Sequence, residues 1–255
     1  VELEILFTCT DVAVPKRTVV LGEMGFTKSE MNRIEESLHL LTVSLLSEAS
    51  TIIEQDALSG ANLLKWRQKN SPILNSQSDE ILPLAHFVDT ALLLCRQTGT
   101  YPFARLARLA FIGRDLMERL VIGGICSTQW VESFWQSLQT IATEITFSIN
   151  QVRNGKMTKD NFNQQFGHLR PHTYDITSLR YDQMDLFSHD AKTSLSDLLP
   201  HSIRTGNRVL NAISKCLLKS QLPFDEMQFV SFVERAVKER EYSKFLFSAV
   251  LSDCL

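Results

Sequence analysis

Residues 102–112 read PFARLARLAFI, and this stretch decides the fold class. Wound as a helix, it places small or large apolar residues on nearly every face, with Arg105 and Arg108 as its charged exceptions. A helix that is apolar all round is typical of the centre of a protein rather than of its surface. The stretch therefore predicts a buried central helix, which Gly123-Gly124 closes.

Helical patterns continue on both sides of this stretch. Thr27 and Glu30 have the spacing of a capping box, in which the hydroxyl and the carboxylate satisfy free amide donors, so a helix is predicted from there to Leu45. Further helices are predicted over 50–68, with Gly60 weakening the middle, from Asp79 to Gly99, from Ser127 or Thr128 to Asn154-Gly155, over 158–165, over about 202–219 and from about Phe224 to the last residue.

These patterns predict an all-α protein, a bundle of about eight to ten helices with one irregular loop and short connections between antiparallel neighbours. Residues 1–7 alternate weakly between apolar and polar, which indicates one short N-terminal strand, and no strand signal follows. The polar stretch 70–79 is a candidate internal boundary in an otherwise single helical domain, 1–255. Because position 1 is Val and helical spacing persists to the last residue, we expect a piece of a larger chain.

Composition limits the classes of function. The chain has 255 residues, 44% hydrophobic and 22% charged, with a net charge of -3. That balance offers no electrostatic basis for binding nucleic acid or an anionic membrane, and no apolar run reaches the ~18–20 residues of a membrane span. The five cysteines lie far apart without a CxxC, and no signal peptide opens the chain, so we expect a reducing, cytoplasmic setting.

The candidate functional residues gather in residues 166–182, FGHLRPHTYDITSLRYD, which we call the motif loop. It is neither helically periodic nor plain linker, and its Tyr-Asp pair recurs at 174–175 and 181–182. His168 and His172 lie four apart, but the intervening Pro171 forbids the helix that would bring them together and no third ligand is evident, so no metal site is predicted. Either histidine is suited to acid or base chemistry, or simply to a hydrogen bond within the loop.

Arg170 and Arg180 leave two interpretations open. Guanidinium groups suit phosphate or carboxylate, which favours anion recognition; alternatively, Arg-Asp pairs and tyrosine hydroxyls hold the loop together. Buried cations need anionic partners, so Asp175 or Asp182 are expected to meet the two arginines of the 102–112 helix and dock the loop on it. The chain has no GxxxxGK[ST], GxGxxG or GxSxG motif, and by itself presents no complete active site.

The run GHLRPxTYDIxSxRYD, residues 167–182, resembles a signature of phosphoenolpyruvate synthase-like proteins, the relatives of phosphoenolpyruvate synthase and pyruvate, phosphate dikinase. Residues 102–112 are similar to the helix upstream of that signature. Residues 239–245, followed by Leu251-Ser252, are similar to the helix downstream. The resemblance thus covers most of 80–255. The chain departs from it at His172, where the family usually has Gly.

The resemblance implies a machine of three parts: an ATP-grasp domain takes phosphate from ATP, a swivelling domain carries it on a histidine, and an acceptor site receives it. This chain resembles the helical region between the first two, which implies an acceptor-binding or spacer domain that is inactive on its own. Its partners would be those two domains of one chain and a small-molecule acceptor, with ATP and Mg bound elsewhere and no cofactor here. No Thr-Ser-His carrier motif occurs.

By this resemblance the residues of the motif loop and its surroundings acquire expected roles. The catalytic candidates are His168 and Arg170; the substrate-binding candidates are Arg170, His172, Tyr174 and Arg180; the loop-ordering candidates are Arg105, Arg108, Asp175, Tyr181 and Asp182. The alternative is a non-catalytic helical interaction module in which the motif loop is purely structural. The acceptor itself is not named by the resemblance, because the family includes enzymes with quite different substrates.

Overall fold

A computed structural model describes residues 14–70, 81–171, 175, 177–188 and 207–254. Within these ranges the protein is all-α, as predicted, and contains no strand. The strand expected at 1–7 and the boundary expected at 70–79 fall almost wholly outside the described residues. Among the described helices, none combines the length and the apolarity that a membrane span requires.

The helices are α1 (Val14–Glu23), α2 (Lys28–Ser47), α3 (Ala49–Asn70), α4 (Ile81–Leu94), α5 (Tyr101–Ile122), α6 (Thr128–Ser137), α7 (Ile141–Arg153), α8 (Lys159–Phe166), α9 (Asn207–Lys219) and α10 (Glu226–Asp253). A π-helical segment, Cys95–Thr100, joins α4 to α5, and a 3₁₀ turn spans Tyr181–Gln183.

Several helix ends lie where capping chemistry predicts them. The Thr27 hydroxyl accepts the Glu30 amide at 3.3 Å, and the Glu30 carboxylate accepts the Thr27 amide at 2.7 Å, which confirms the capping box. Gly124 and Gly155 both have φ +68°, a conformation that side chains disfavour, and they terminate α5 and α7.

The prediction of one long helix from Ser127 to Asn154 is wrong. The chain is extended at Leu138 and Thr140, which separates α6 from α7. The Thr140 amide donates to the Thr143 hydroxyl at 2.8 Å, and that hydroxyl donates to the Thr140 carbonyl at 2.7 Å. These local bonds replace helical ones and begin a new helix, while the apolar spacing continues unchanged across the break.

The prediction that Gly99 ends a helix is also wrong, because the chain stays helical from Ile81 to Ile122. Within the π segment the Tyr101 amide donates to the Arg96 carbonyl, five residues back. Pro102 has no amide to donate, so a wider turn just before it suits the backbone. Gly99 is needed for packing instead, since a Cβ there would lie 2.6 Å from the Cβ of Phe247.

The chain divides into two compact units, each assembled from three segments. The first unit comprises Val1–Glu54, Arg105–Leu138 and His201–Val237. The second comprises Gln55–Ala104, Gln139–Pro200 and Lys238–Leu255.

The core of the first unit is built on the apolar face of α5. Leu106 and Ile112 are fully buried there with Phe229 of α10, which confirms the predicted burial of this helix at its apolar positions. Trp130 and Trp135 flank Phe134, with ring centroids 6.1 and 5.1 Å away. The core of the second unit has its own members, Leu63, Phe87, Ala91, Cys95, Phe247 and Val250.

The second unit also has aromatic contacts, and free cysteines occur in both units. Trp66 stacks on Phe87 at 5.4 Å, and Phe103 meets Phe247 edge-on at 5.6 Å. The described cysteines of both units, Cys95, Cys126, Cys216 and Cys254, are free.

Candidate functional site

The motif loop belongs to the second unit and leaves from α8. The Thr158 hydroxyl caps this helix by accepting the Asn161 amide at 3.2 Å, which confirms the short helix predicted over 158–165. Phe162 and Phe166 are buried at the other end, and Phe166 packs 6.0 Å from the ring of Phe245 on α10. The loop therefore starts from an anchored position.

Two backbone hydrogen bonds close the motif loop on itself. The Tyr181 amide donates to the Leu169 carbonyl at 2.8 Å, and the Asp182 amide donates to the Gly167 carbonyl at 3.3 Å. Gly167 permits this approach, because a Cβ there would collide with the Asn163 carbonyl oxygen and lie 3.0 Å from the Cβ of Asp182. The first and last residues of the loop are thus held together by the main chain.

The two aspartates Asp175 and Asp182 belong to different local structures. The Asp175 carboxylate accepts the Thr177 amide at 2.9 Å and the hydroxyls of Thr177 and Ser178 at 2.6 and 3.1 Å, which forms an Asx turn. The Asp182 carboxylate instead accepts Nε and Nη2 of Arg180 at 3.2 and 2.6 Å. That second pair is bidentate and neutralises much of the Arg180 charge.

His168 is the buried polar residue of the loop, with 7% of its surface exposed. Its ring lies 4.9 Å from the Phe245 ring. Burial, reinforced by the charge of Arg67, lowers the pKa of His168 to about 4. Asp253 and a hydrogen bond to the Phe245 backbone raise that pKa and only partly offset the lowering. Because the resulting pKa lies well below 7, the imidazole is neutral at pH 7.

One ring nitrogen of His168 is unpaired within the part of the chain that the structure describes. Nε2 is buried and has no hydrogen-bond partner among the described residues. We assign the bond to the Phe245 backbone to Nδ1 as donor, because that bond favours the protonated ring and Nε2 has no described partner. In the neutral ring this leaves a lone pair on Nε2, which makes that atom a hydrogen-bond acceptor.

An ion pair between α3 and α10 borders the histidine. Nε and Nη2 of Arg67 donate to the Asp253 carboxylate at 2.6 and 2.9 Å, and both side chains are largely buried. Both charges act on the pKa of His168, as does that of Arg180. The charges of two paired guanidinium groups therefore contribute to lowering the pKa of the imidazole.

Arg170 differs from those two arginines. Its Nη1 is buried and has no hydrogen-bond partner among the described residues, and the same holds for Oδ1 of Asn163 on α8. Buried polar atoms in folded proteins are nearly always paired with protein, water or ligand. Arg170 is therefore the guanidinium of the loop with donor capacity for a bound anion.

The predicted site residues divide between the two units. His168, Arg170, Arg180, Tyr181 and Asp182 come together in the closed loop, whereas His172 and Tyr174 lie outside the described residues. The two arginines of the 102–112 helix belong to the first unit, with Arg105 partly buried. The expectation that Arg108 is buried is wrong, because its helix turns it to the surface and it needs no buried partner.

Arg67, Asp253 and Phe245 were not predicted as site residues, although all three act on His168. Arg67 and Asp253 are 186 residues apart in the chain, and no local pattern links them. Phe245 does lie in the 239–245 stretch that is similar to the family's downstream helix. That similarity was the one signal in the sequence for the ring that packs against His168. Among the described residues, no three His, Cys, Asp or Glu side chains gather closely enough to hold a metal ion.

Comparison with known proteins finds no match: no protein-family model, no curated protein and no solved structure is similar to this chain.

Proposed function

We propose that this chain is the helical acceptor-binding domain of a phosphoenolpyruvate synthase-like phosphotransferase, inactive without its partner domains. One observation carries the proposal: the motif loop contains a neutral, buried imidazole whose Nε2 has no hydrogen-bond partner among the described residues, and the charges of nearby guanidinium groups act on it. The resemblance of residues 167–182 to the family signature supports the assignment to phosphoryl transfer. The acceptor would be a small molecule bearing a hydroxyl or enol oxygen.

Arg170 and His168 would divide the work at the acceptor. Arg180 and Arg67 are already bound to carboxylates, whereas Nη1 of Arg170 has no partner among the described residues, so we assign the arriving phosphoryl oxygens to Arg170. His168 Nε2 would accept the acceptor's hydroxyl proton while the new O–P bond forms and the N–P bond of the carrier histidine breaks. The negative charge of the phosphoryl group would raise the pKa of His168 and so favour that proton transfer.

The remaining parts of the reaction lie on partner domains. An ATP-grasp domain would bind ATP and Mg, and a swivelling domain would carry the phosphohistidine to this site. We expect the assembly to work in the cytoplasm, with neither nucleic acid nor membrane as a partner. His172 and Tyr174 remain proposed contacts of the acceptor, and Asp175, Tyr181 and Asp182, with Arg105, remain proposed loop-ordering residues.

The test is anion binding by the Arg170→Ala variant. Isothermal titration calorimetry with inorganic phosphate and with phosphoenolpyruvate would measure affinity in the 255-residue chain. We expect Arg170→Ala to weaken binding by about tenfold or more, because a charge-assisted hydrogen bond is lost, with an unchanged melting temperature. Arg96→Ala is the matched control, since Arg96 is an exposed arginine of the same unit.

A second candidate, a non-catalytic helical interaction module, is favoured by the internal bonding of the loop. Asp175 and Asp182 both bind within the loop and stabilise it without any ligand. This candidate predicts that Arg170→Ala lowers the melting temperature and leaves affinity for both anions unchanged or undetectable. That result would overturn the acceptor-binding proposal.

A further inference from the structure

A cavity of about 650 Å³ lies within the first unit, and its lining residues all belong to that unit. The junction of α2 and α3 forms one side, and the first turns of α10 with the preceding residues form the other. Leu46, Ile53 and Phe232, all nearly inaccessible, form an apolar lining. Its volume falls within the range of about 300–1,000 Å³ that is typical of small-molecule sites.

The cavity is elongated along α10. Met227, Ser231 and Arg235 line it at intervals of four residues, so they follow one face of the helix over roughly 12 Å. Phe224 lines it just before the helix begins, and its ring stacks on Phe232 at 5.1 Å. Phe224 therefore lies at one end of this apolar lining, and the guanidinium of Arg235 lies at the other, three residues beyond Phe232.

Arg235 is only loosely paired. Its Nη1 lies 3.4 Å from the Ser50 hydroxyl, and its Nη2 lies 3.6 Å from the Glu54 carboxylate. Those distances are at or beyond the outer limit of a hydrogen bond, and the arginine and glutamate side chains are 42% and 67% exposed. The planar fork of Arg235 is thus free to take a stronger anionic partner than the one that it has.

We propose that this cavity binds an amphipathic monocarboxylate, a ligand with a chain-like or aromatic apolar body and one carboxylate. The body would lie on Leu46, Ile53 and Phe232, and the carboxylate would accept two hydrogen bonds from the fork of Arg235. A ligand with several negative charges is disfavoured, because the Glu54 carboxylate stands next to the same guanidinium. This site is independent of the motif loop, and its test is independent of the phosphotransferase proposal.

The experiment compares octanoate with octan-1-ol, which share an apolar body and differ in charge. Calorimetric titration of the 255-residue chain should give saturable, one-site binding of octanoate that is about tenfold tighter than that of the alcohol. Arg235→Gln should weaken octanoate binding by about tenfold and leave the alcohol unaffected. Arg235→Lys, which keeps the charge and loses the fork, should give an intermediate affinity.

Two further variants separate the cavity from the rest of the surface. Ser231→Phe places a ring in the cavity from an exposed position on α10, and it should abolish binding of both ligands. Arg208→Gln removes an exposed arginine of the same unit outside the cavity, and it should change neither affinity. The proposal is overturned if octanoate does not saturate, if the alcohol binds equally well, or if Ser231→Phe binds octanoate like the unaltered chain.

Discussion

Among single residues, His168 has the largest consequence for how stability depends on pH. Its ordinary pKa is 6.5, and burial lowers that pKa to about 4 in the folded protein. Between pH 6.5 and 4 the imidazole is protonated in the unfolded chain and neutral in the folded chain. The free energy of unfolding therefore falls as pH falls from 6.5 toward 4, and it levels off below that. Above pH 6.5 both states hold the imidazole neutral, and this contribution is fully present.

We therefore predict that His168→Gln flattens this part of the stability profile. Chemical denaturation at a series of pH values measures the free energy of unfolding. Between pH 6.5 and 4 that free energy should fall by on the order of 3 kcal/mol more in the unaltered chain than in the variant. His86→Gln is the control, because His86 is an exposed histidine of the same unit. Equal slopes for the unaltered chain and His168→Gln would contradict the burial of a neutral imidazole.

At this scale the sequence identified the histidine and not its surroundings. The Gly-His pair, the arginines and the aspartates of the motif loop were recognisable because they depart from helical periodicity. Arg67 and Asp253 were not recognisable as site residues, because each lies in an ordinary helix and only the folded chain brings them together. Long-range pairs of this kind leave no trace in local spacing.

At the scale of the helices, the two ends of a helix were more predictable than interruptions within it. The capping box at Thr27 and the glycines after α5 and α7 act through neighbouring backbone groups, so local sequence is enough to find them. The break at Leu138–Thr140 escaped prediction because apolar residues keep their helical spacing through it. Gly99 was misread as a helix stop because its real role depends on Phe247, which is distant in the chain.

Two glycines of the second unit give a matched test of that role. A Cβ at Gly99 would meet the Cβ of Phe247 at 2.6 Å, which only a backbone shift relieves, whereas a Cβ at Gly60 would meet a terminal methyl of Leu246 at 2.9 Å. We predict that Gly99→Ala destabilises the protein by about 1–3 kcal/mol. Gly60→Ala should cost less, because the leucine can rotate and alanine favours the helix.

Urea denaturation of both variants would check this prediction. The outcome against it is a Gly99→Ala protein as stable as Gly60→Ala, which would mean that the close approach of Phe247 to the π segment is dispensable.

At the scale of the whole molecule, the two units have separate cores, and cavities made in them should act separately. Phe229 is fully buried in the first unit and Phe247 almost fully in the second. We predict that truncating either ring to alanine costs about 3–5 kcal/mol. Phe229→Ala should lower amide protection chiefly in α9, and Phe247→Ala chiefly in α4.

Hydrogen exchange followed by mass spectrometry would locate these losses. An equal loss of protection in α4 and α9 for both variants would show that the chain opens as a single cooperative unit instead.

The positions of the tryptophan rings allow fluorescence to test whether the two units unfold separately. All three tryptophans are accounted for by the two aromatic clusters: Trp66 stacks in the second unit, and Trp130 and Trp135 flank Phe134 in the first. A Trp66→Phe protein would therefore emit only from the first unit, and a Trp130→Phe, Trp135→Phe protein only from the second. Intrinsic fluorescence, without any attached dye, thus becomes a separate optical reporter for each half of the molecule.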